Sequence, residues 1–319
     1  MTAEWQKKKP GPKWGLGFFY WMIRLGGRPL AYFFLYFVVF VYVVFFPRVR
    51  KACNPYLNRR FPKAGRFILF SHRYRLVLTF GRILVDRALL GILGLSSIQA
   101  DFENREDFHR IKGLDTGFII LMSHVGCWQV AMAALSQLNR PVNLLMLRQD
   151  GEGDRHCFEH ENQQSALKII DPDQFLGGTL DMLDVLKKDE ILCIMGDRLF
   201  GNGAYALDMT FLGGRARFPF SAYKLASITK KPIVVLNSYK SGSAQYKLAF
   251  PALIHVESKL GKRGENYIHH ARTYVDVLEQ YVQDHPYQFF NFYDMWKESP
   301  GSPKGSPAGS PVSDEGNGR

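Results

Sequence analysis

Hydrophobic positions fall along the chain in two regimes. The longest uncharged run, Leu30 to Phe46, holds seventeen residues (LAYFFLYFVVFVYVVFF). As a helix it extends about 26 Å, a little short of the roughly 30 Å hydrocarbon core of a bilayer. Pro29 and Pro47 bracket it, and Trp14, Phe18, Phe19, Tyr20 and Trp21 precede it in the manner of an interfacial aromatic belt. A strand of this length would be abnormal. A cleaved signal peptide fits poorly, because the run is too long and lacks a small-residue cleavage site. A buried core helix is the plain alternative. The expectation is a membrane anchor over 29–47, spanning or deeply inserted, preceded by a basic, aromatic interfacial segment over 1–28.

Beyond the anchor the pattern shortens. Arg73 to Leu95 reads as a long helix with spaced arginines. The short apolar runs Phe118–Met122, Val142–Leu147, Glu190–Met195 and Pro232–Leu236 read as buried strands. Trp128–Leu138, Phe175–Lys188, Phe218–Thr229 and Tyr267–Gln283 read as helices. Strands alternating with helices predict an α/β fold, a mixed and partly parallel sheet flanked by helices, over residues 48–298. The tail, 299–319, repeats Gly, Ser and Pro and predicts a disordered extension.

Composition changes this picture in two ways. Apolar residues make up 46% of the chain, enough for a sizeable core. The four cysteines (Cys53, Cys127, Cys157, Cys193) form no CxxC pair, which argues against a disulfide scaffold or a Cys-type zinc site. Lys and Arg total 41 against 29 Asp and Glu, a net charge of +12. Such an excess implies an anionic partner. Many of the cations flank the apolar run: Lys7, Lys8, Lys9, Lys13, Arg24 and Arg28 before it, and Arg48, Arg50, Lys51, Arg59 and Arg60 after it. With no basic helix carrying stacking aromatics in the globular part, the charge reads as affinity for an anionic membrane surface and not for nucleic acid. Basic flanks on both sides leave the positive-inside rule without a clear vote. One solution is a helix that dips into a single leaflet.

Candidate chemistry lies where strands end, because ligands of such sheets sit beyond their carboxyl ends. FIILM is followed by Ser123-His124-Val125-Gly126-Cys127-Trp128-Gln129. A histidine there suits a general base, with amides of the following helix start nearby as oxyanion donors. EILCIM is followed by Gly196-Asp197-Arg198, and Phe211-Leu212-Gly213-Gly214-Arg215-Ala216-Arg217 places two arginines before a predicted helix, suited to phosphate or carboxylate recognition. The plain alternative is an Asp197–Arg198 or Asp197–Arg215 pair that only holds loops together.

The anchor, SHVGCWQ, GDRLFG, FLGGRARFPFSAYKLASITKKPIVVL and the closing FNFYDMWKE follow in order the pattern of the bacterial lipid A biosynthesis acyltransferases, within the lysophospholipid acyltransferase superfamily. The resemblance covers about residues 15–298. It implies a glycerolipid acyltransferase-like fold and a histidine that deprotonates an acceptor hydroxyl for attack on an acyl thioester. His124, Gly126 and Trp128 match the family's H-x-G-N-W-E pattern, whereas Gln129 stands where it has an acid. Gln129 can orient the imidazole but adds no charge. Asp197 is the first choice for a substitute acid, with Asp150 and Asp154 weaker choices. The family commonly has Arg-Asp-Gln where this chain has Gly-Asp-Arg, so only the aspartate carries over.

The resulting expectation is a transferase moving a fatty acyl chain from acyl carrier protein or acyl-CoA to a hydroxyl or amine of a lipid or glycolipid. It places the protein at the inner membrane with its domain on the cytoplasmic face. His124, Gln129 and Asp197 are the catalytic candidates; Gly126, Trp128, Arg198, Arg215 and Arg217 are the substrate-binding ones. No cofactor is implied. A catalytically degenerate lipid binder is the first alternative, motivated by Gln129. A membrane di-iron oxidase is the second, suggested by His156, Glu159, His160, His269 and His270, but that class needs most of the chain's nine histidines as ligands, several spanning helices where this chain has one membrane segment, and an HxxHH box that is missing. No GxxxxGK[ST], strand-linked GxGxxG or GxSxG motif is present. The acidic stretch Asp150–Glu161 reads as a solvated loop.

Overall fold

The computed structural model describes residues 13–94, 97–146, 167–173, 178–199 and 205–296. The expectations for Asp150, Asp154, His156, His160 and the tail therefore lie outside the described residues. Three helices come first: α1 (Lys13–Phe45), α2 (Pro47–Arg60) and α3 (Arg66–Leu93). Then follow β1 (Gln99–Phe102), α4 (Arg105–Lys112), β2 (Phe118–Met122), α5 (Trp128–Leu135), β3 (Val142–Leu145), β4 (Leu167–Ile170), α6 (Thr179–Lys187) and β5 (Ile191–Met195). The chain continues through β6 (Ala206–Phe211), β7 (Gly214–Pro219), α7 (Ser221–Thr229), β8 (Ile233–Lys240), β9 (Gln245–Ile254) and α8 (Ile268–Asp284).

The seven-stranded sheet has the order β1-β9-β8-β2-β5-β3-β4, all neighbours parallel except β8 and β9. Every residue of β2 and β5 is buried, as a continuous apolar run demands when helices cover both faces. Side chains alternate between two cores. Ile119, Leu121, Leu192, Ile194, Ile233 and Val235 join α6, α7 and α8. Phe118, Ile120, Met122, Cys193, Met195 and Val234 join α4 and α5 on the other side.

The anchor helix begins well before residue 29. Gly27 breaks it with φ 64° and ψ −156°, so Pro29 sits just inside the second piece rather than ending a run. Pro47 opens α2, where its missing N–H costs nothing. The helix expected from Arg73 starts at Arg66. Phe218 lies in β7 and not in a helix, which begins at Ser221. Arg215 and Arg217 are therefore strand residues of an antiparallel β6–β7 hairpin.

The first three helices pack tightly on the domain. Asp86 of α3 is fully buried and holds four groups at once. Arg28 Nε and Tyr32 of α1 meet one oxygen at 3.0 and 2.8 Å; Lys240 and Tyr246 meet the other at 2.6 Å each. This ties α1 and α3 to the β8–β9 hairpin. Arg60, at the end of α2, donates to the carbonyls of Val282 and Gln283 at 2.9 and 3.0 Å, satisfying the open C-terminal turn of α8.

Candidate active site

Register alone brings His124 and Asp197 together. Met122 of β2 pairs with Met195 of β5 in parallel. Two residues beyond each, at the same end of the sheet, stand His124 and Asp197. The His124 Nδ1–Asp197 Oδ1 distance is 2.8 Å, and the backbone N–H of His124 donates to Oδ2 at 3.0 Å. Asp197 is completely buried, while the His124 side chain is 25% exposed. Burial pushes the Asp197 carboxyl up, but the His124 charge and its hydrogen bonds, together with the Arg198 charge, outweigh this and hold it below the usual carboxylate value. The aspartate is therefore an anion at neutral pH. An anion facing Nδ1 fixes the proton on that nitrogen and leaves Nε2 as an acceptor on the other edge of the ring.

The loop after β2 is held from several directions. Val125 bridges Phe289, Gly126 N–H donates to the Gln288 carbonyl at 3.0 Å, and Phe290 N–H donates to the His124 carbonyl at 2.8 Å. Gly126 has φ 52°, and a β-carbon there would stand 1.9 Å from the Ser238 carbonyl oxygen. Glycine is needed for both reasons. Cys127 N–H donates to Ser238 Oγ at 3.1 Å. The Gln129 and Val130 amides act on the Cys127 sulfur, whose thiol burial pushes up to about 11. The Gly126 and Cys127 amides are thus used to build the loop. Gly126 acts through its backbone geometry. Beneath, Ser123 Oγ and Tyr274 Oη lie 2.6 Å apart, and Tyr274 donates to the Met122 carbonyl at 3.1 Å.

Gln129 is buried in α5, and the Cys127 thiol donates to its Oε1 at 3.5 Å. The charged partner on His124 Nδ1 is Asp197. Trp128 opens α5 half-buried, packed on the α4–α5 core. Arg198 acts on Asp197 through its charge, and its guanidinium reaches the 288–293 segment. Its Nε donates to Asn291 Oδ1 and its Nη2 to the Phe290 carbonyl, each at 3.0 Å, while Tyr293 donates to the Asp197 carbonyl at 3.2 Å. These contacts lock the 288–293 segment beside the histidine. Arg215 pairs with Asp208 at 2.7 Å on the exposed face of the hairpin, whose other face buries Leu207, Met209, Phe211, Ala216 and Phe218. Among the described residues, neither Arg215 nor Arg217 touches His124 or Asp197. Of the histidines outside this site, His270 pairs with Glu257 at 2.7 Å.

Sequence reasoning missed Ser238, Tyr274, Gln288 and Asn291. Asn291 stands within the FNFYDMWKE segment, which was a visible signal; Ser238 and Tyr274 sit inside ordinary apolar elements and gave none.

A buried acid beside a strand-end histidine is an arrangement that can perform general-base chemistry. The chain belongs to the bacterial lipid A biosynthesis acyltransferase family, which it matches over residues 18–298. It is an acyltransferase of lipid biosynthesis. No curated protein matches the chain. Among solved structures, the 1-acyl-sn-glycerophosphate (LPA) acyltransferase PlsC from Thermotoga maritima is similar over 81% of this chain and 96% of its own, at 14% identity and a TM-score of 0.37. That likeness is too distant to carry an argument.

Proposed function

We propose that the protein moves a fatty acyl chain from a thioester, on acyl carrier protein or coenzyme A, to a hydroxyl or amine of a membrane lipid or glycolipid. The observation that supports this is the 2.8 Å contact between His124 and a fully buried Asp197. His124 Nε2 takes the acceptor's proton as its oxygen or nitrogen bonds to the thioester carbonyl carbon. The C–S bond then breaks, and the leaving thiolate takes the proton back from Nε2. Asp197 holds the tautomer and stabilises the imidazolium between the two steps. With the charge of the motif acid supplied from β5, Gln129 no longer argues for a degenerate binder. Gln129 and Trp128 shape the start of α5, and Arg198 positions the 288–293 wall.

The protein acts at a membrane face, with α1 lying along the membrane plane. Trp21, Leu25, Phe33, Phe37, Phe40 and Phe45 are exposed on α1, and Phe67 and Ile68 on the start of α3. An apolar surface this continuous marks a lipid contact. The opposite side of α1 is fixed along α3 by Arg28 and Tyr32 on Asp86 and by Tyr74 on the Tyr36 carbonyl. A full crossing would carry Arg73, Arg75, Arg82 and Asp86 of α3 into hydrocarbon. Lying in plane keeps both basic flanks on one side, which by the positive-inside rule is the cytoplasmic side of the inner membrane.

Incubating the full-length protein with labelled acyl-carrier or acyl-CoA donor and a bacterial lipid extract tests the reading. A new labelled lipid that His124→Ala abolishes is the expected result. Transfer that survives His124→Ala would remove the general-base assignment, and no transfer with either donor would favour a non-catalytic lipid binder.

A further inference from the structure

The N-terminal helices carry more arginines than acids, and most of those cations have an evident partner. Arg28 shares Asp86 with Lys240, and Arg60 caps α8. The Arg82 guanidinium stands over the rings of Tyr32 and Tyr36, 5.5 and 5.3 Å from their centroids, which accounts for a side-chain Nε without a hydrogen-bond acceptor.

Arg73 is different. It is 7% exposed, in the seam between α3 and α2. One Nη2 donates to Asn54 Oδ1 of α2 at 2.8 Å, and its Nε is buried without an acceptor. Among the described residues no carboxylate forms an ion pair with it. Burial disfavours its charge, and so does Arg50, one turn before Asn54 on the same helix. Two cations converge on one seam, one of them buried and half-satisfied, with an amide fixing the guanidinium plane. Buried charge of this kind calls for a counter-charge that supplies acceptors. A guanidinium presents its Nε–H and Nη–H edges as a fork that phosphate oxygens fit in pairs.

We propose that Arg73 and Arg50 bind a phosphate group at the α2–α3 seam, with Asn54 positioning Arg73. Arg50 is exposed, at the surface end of this pair of cations. A phosphate monoester of a lipid headgroup and free inorganic phosphate share this chemistry. The lipid source rests on the in-plane reading above, because α2 begins two residues after the apolar helix ends and so stands at headgroup level. The phosphate site itself does not depend on acyl transfer.

Binding to the full-length protein in neutral detergent tests it. One arm titrates inorganic phosphate and follows the thermal midpoint. The other measures flotation with phosphatidylcholine vesicles with and without phosphatidic acid. Arg73→Gln and Arg50→Gln are each expected to weaken phosphate or phosphatidic acid binding roughly tenfold or more, the scale of a lost charge-assisted contact. Lys63→Gln, an exposed cation outside the seam, should change it less than about twofold. Response to inorganic phosphate identifies the free ion as ligand; response to phosphatidic acid alone identifies the headgroup. If Arg73→Gln does not fold, Arg50→Gln carries the test, being exposed. Wild-type binding by Arg50→Gln, equal weakening by Lys63→Gln, or no binding of either probe overturns the proposal.

Discussion

At the scale of single residues, the proposed reading gives His124 a carboxylate that is distant from it in sequence and adjacent in space. Gln129 is the second residue of α5, whereas Asp197 stands two residues beyond β5 and meets Nδ1 directly. On that reading the two act as a unit, so Asp197→Asn should lower turnover roughly 10⁴-fold, as amidating the acid of a serine-protease triad does. The His124→Ala, Asp197→Asn double variant should be no worse than the worse single one. Kinetics of the three variants check this. The same carboxyl sets a pH dependence of stability. Its folded pKa is depressed below the ordinary 3.8. Its stabilisation is therefore fully present above about pH 4 and is lost as the pH falls through the folded value. Acid unfolding curves of Asp197→Asn should lack that component. Gln129 gives a contrasting prediction. Gln129→Glu would place a carboxylate where an amide is 3% exposed. Burial disfavours the charged form of a carboxylate, so the thermal midpoint should fall and activity should not rise. A more active Gln129→Glu enzyme would show that position 129, and not Asp197, serves His124.

At the scale of elements, the site depends on how β2 and β5 sit side by side and how the 288–290 segment returns against the first loop. The central strands were legible because residues buried on both faces leave uninterrupted apolar runs. The strand-end positions of His124 and Asp197 followed from them. The edge strand β1 and its neighbour β9 were not legible, since neither is an uninterrupted apolar run and their mixed pattern resembles loop. The hairpin did leave a signal. Leu207, Met209 and Phe211 alternate with polar residues, and Leu212-Gly213 turns with both φ positive (48° and 69°), as a two-residue hairpin requires. Reading Phe218 as a helix start hid it. Placing Arg215 on the open face of that hairpin limits what it does. Its pair with Asp208, with side chains 59% and 45% exposed, is worth under about 1 kcal/mol. Arg215→Ala should therefore leave the thermal midpoint nearly unchanged and shift KM less than about threefold. A tenfold rise in KM would put the hairpin in the substrate path. Gly126→Ala should do the reverse. Strain at its positive φ alone costs about 1–3 kcal/mol, and the added carbon collides with Ser238. Both the thermal midpoint and kcat should drop, because the loop that moves carries His124.

At the scale of the whole molecule, the chain's excess of cations and its exposed aromatics describe one surface from two sides. Sequence alone showed an apolar run long enough to dip or to span, and basic flanks that did not choose between the two. Packing favours the in-plane answer, through a contact that no periodicity reveals: Asp86, fifty-eight residues after Arg28, gathers α1, α3 and the β8–β9 hairpin around one carboxylate. A helix held along its length cannot leave the domain to cross a bilayer alone. This predicts that both ends of α1 stay on one side. Single cysteines at Arg24 and Arg48, introduced into a background with Cys53, Cys127, Cys157 and Cys193 replaced by Ala or Ser, should react equally with a membrane-impermeant maleimide in inside-out vesicles. Both should be protected in right-side-out vesicles. Phe37→Glu and Phe40→Glu together should weaken vesicle flotation while leaving the fold intact, since both side chains are exposed and support no core contact. Opposite accessibility of the two cysteines would instead establish a spanning helix. The Arg28 and Tyr32 bonds to Asp86 would then have to break on insertion.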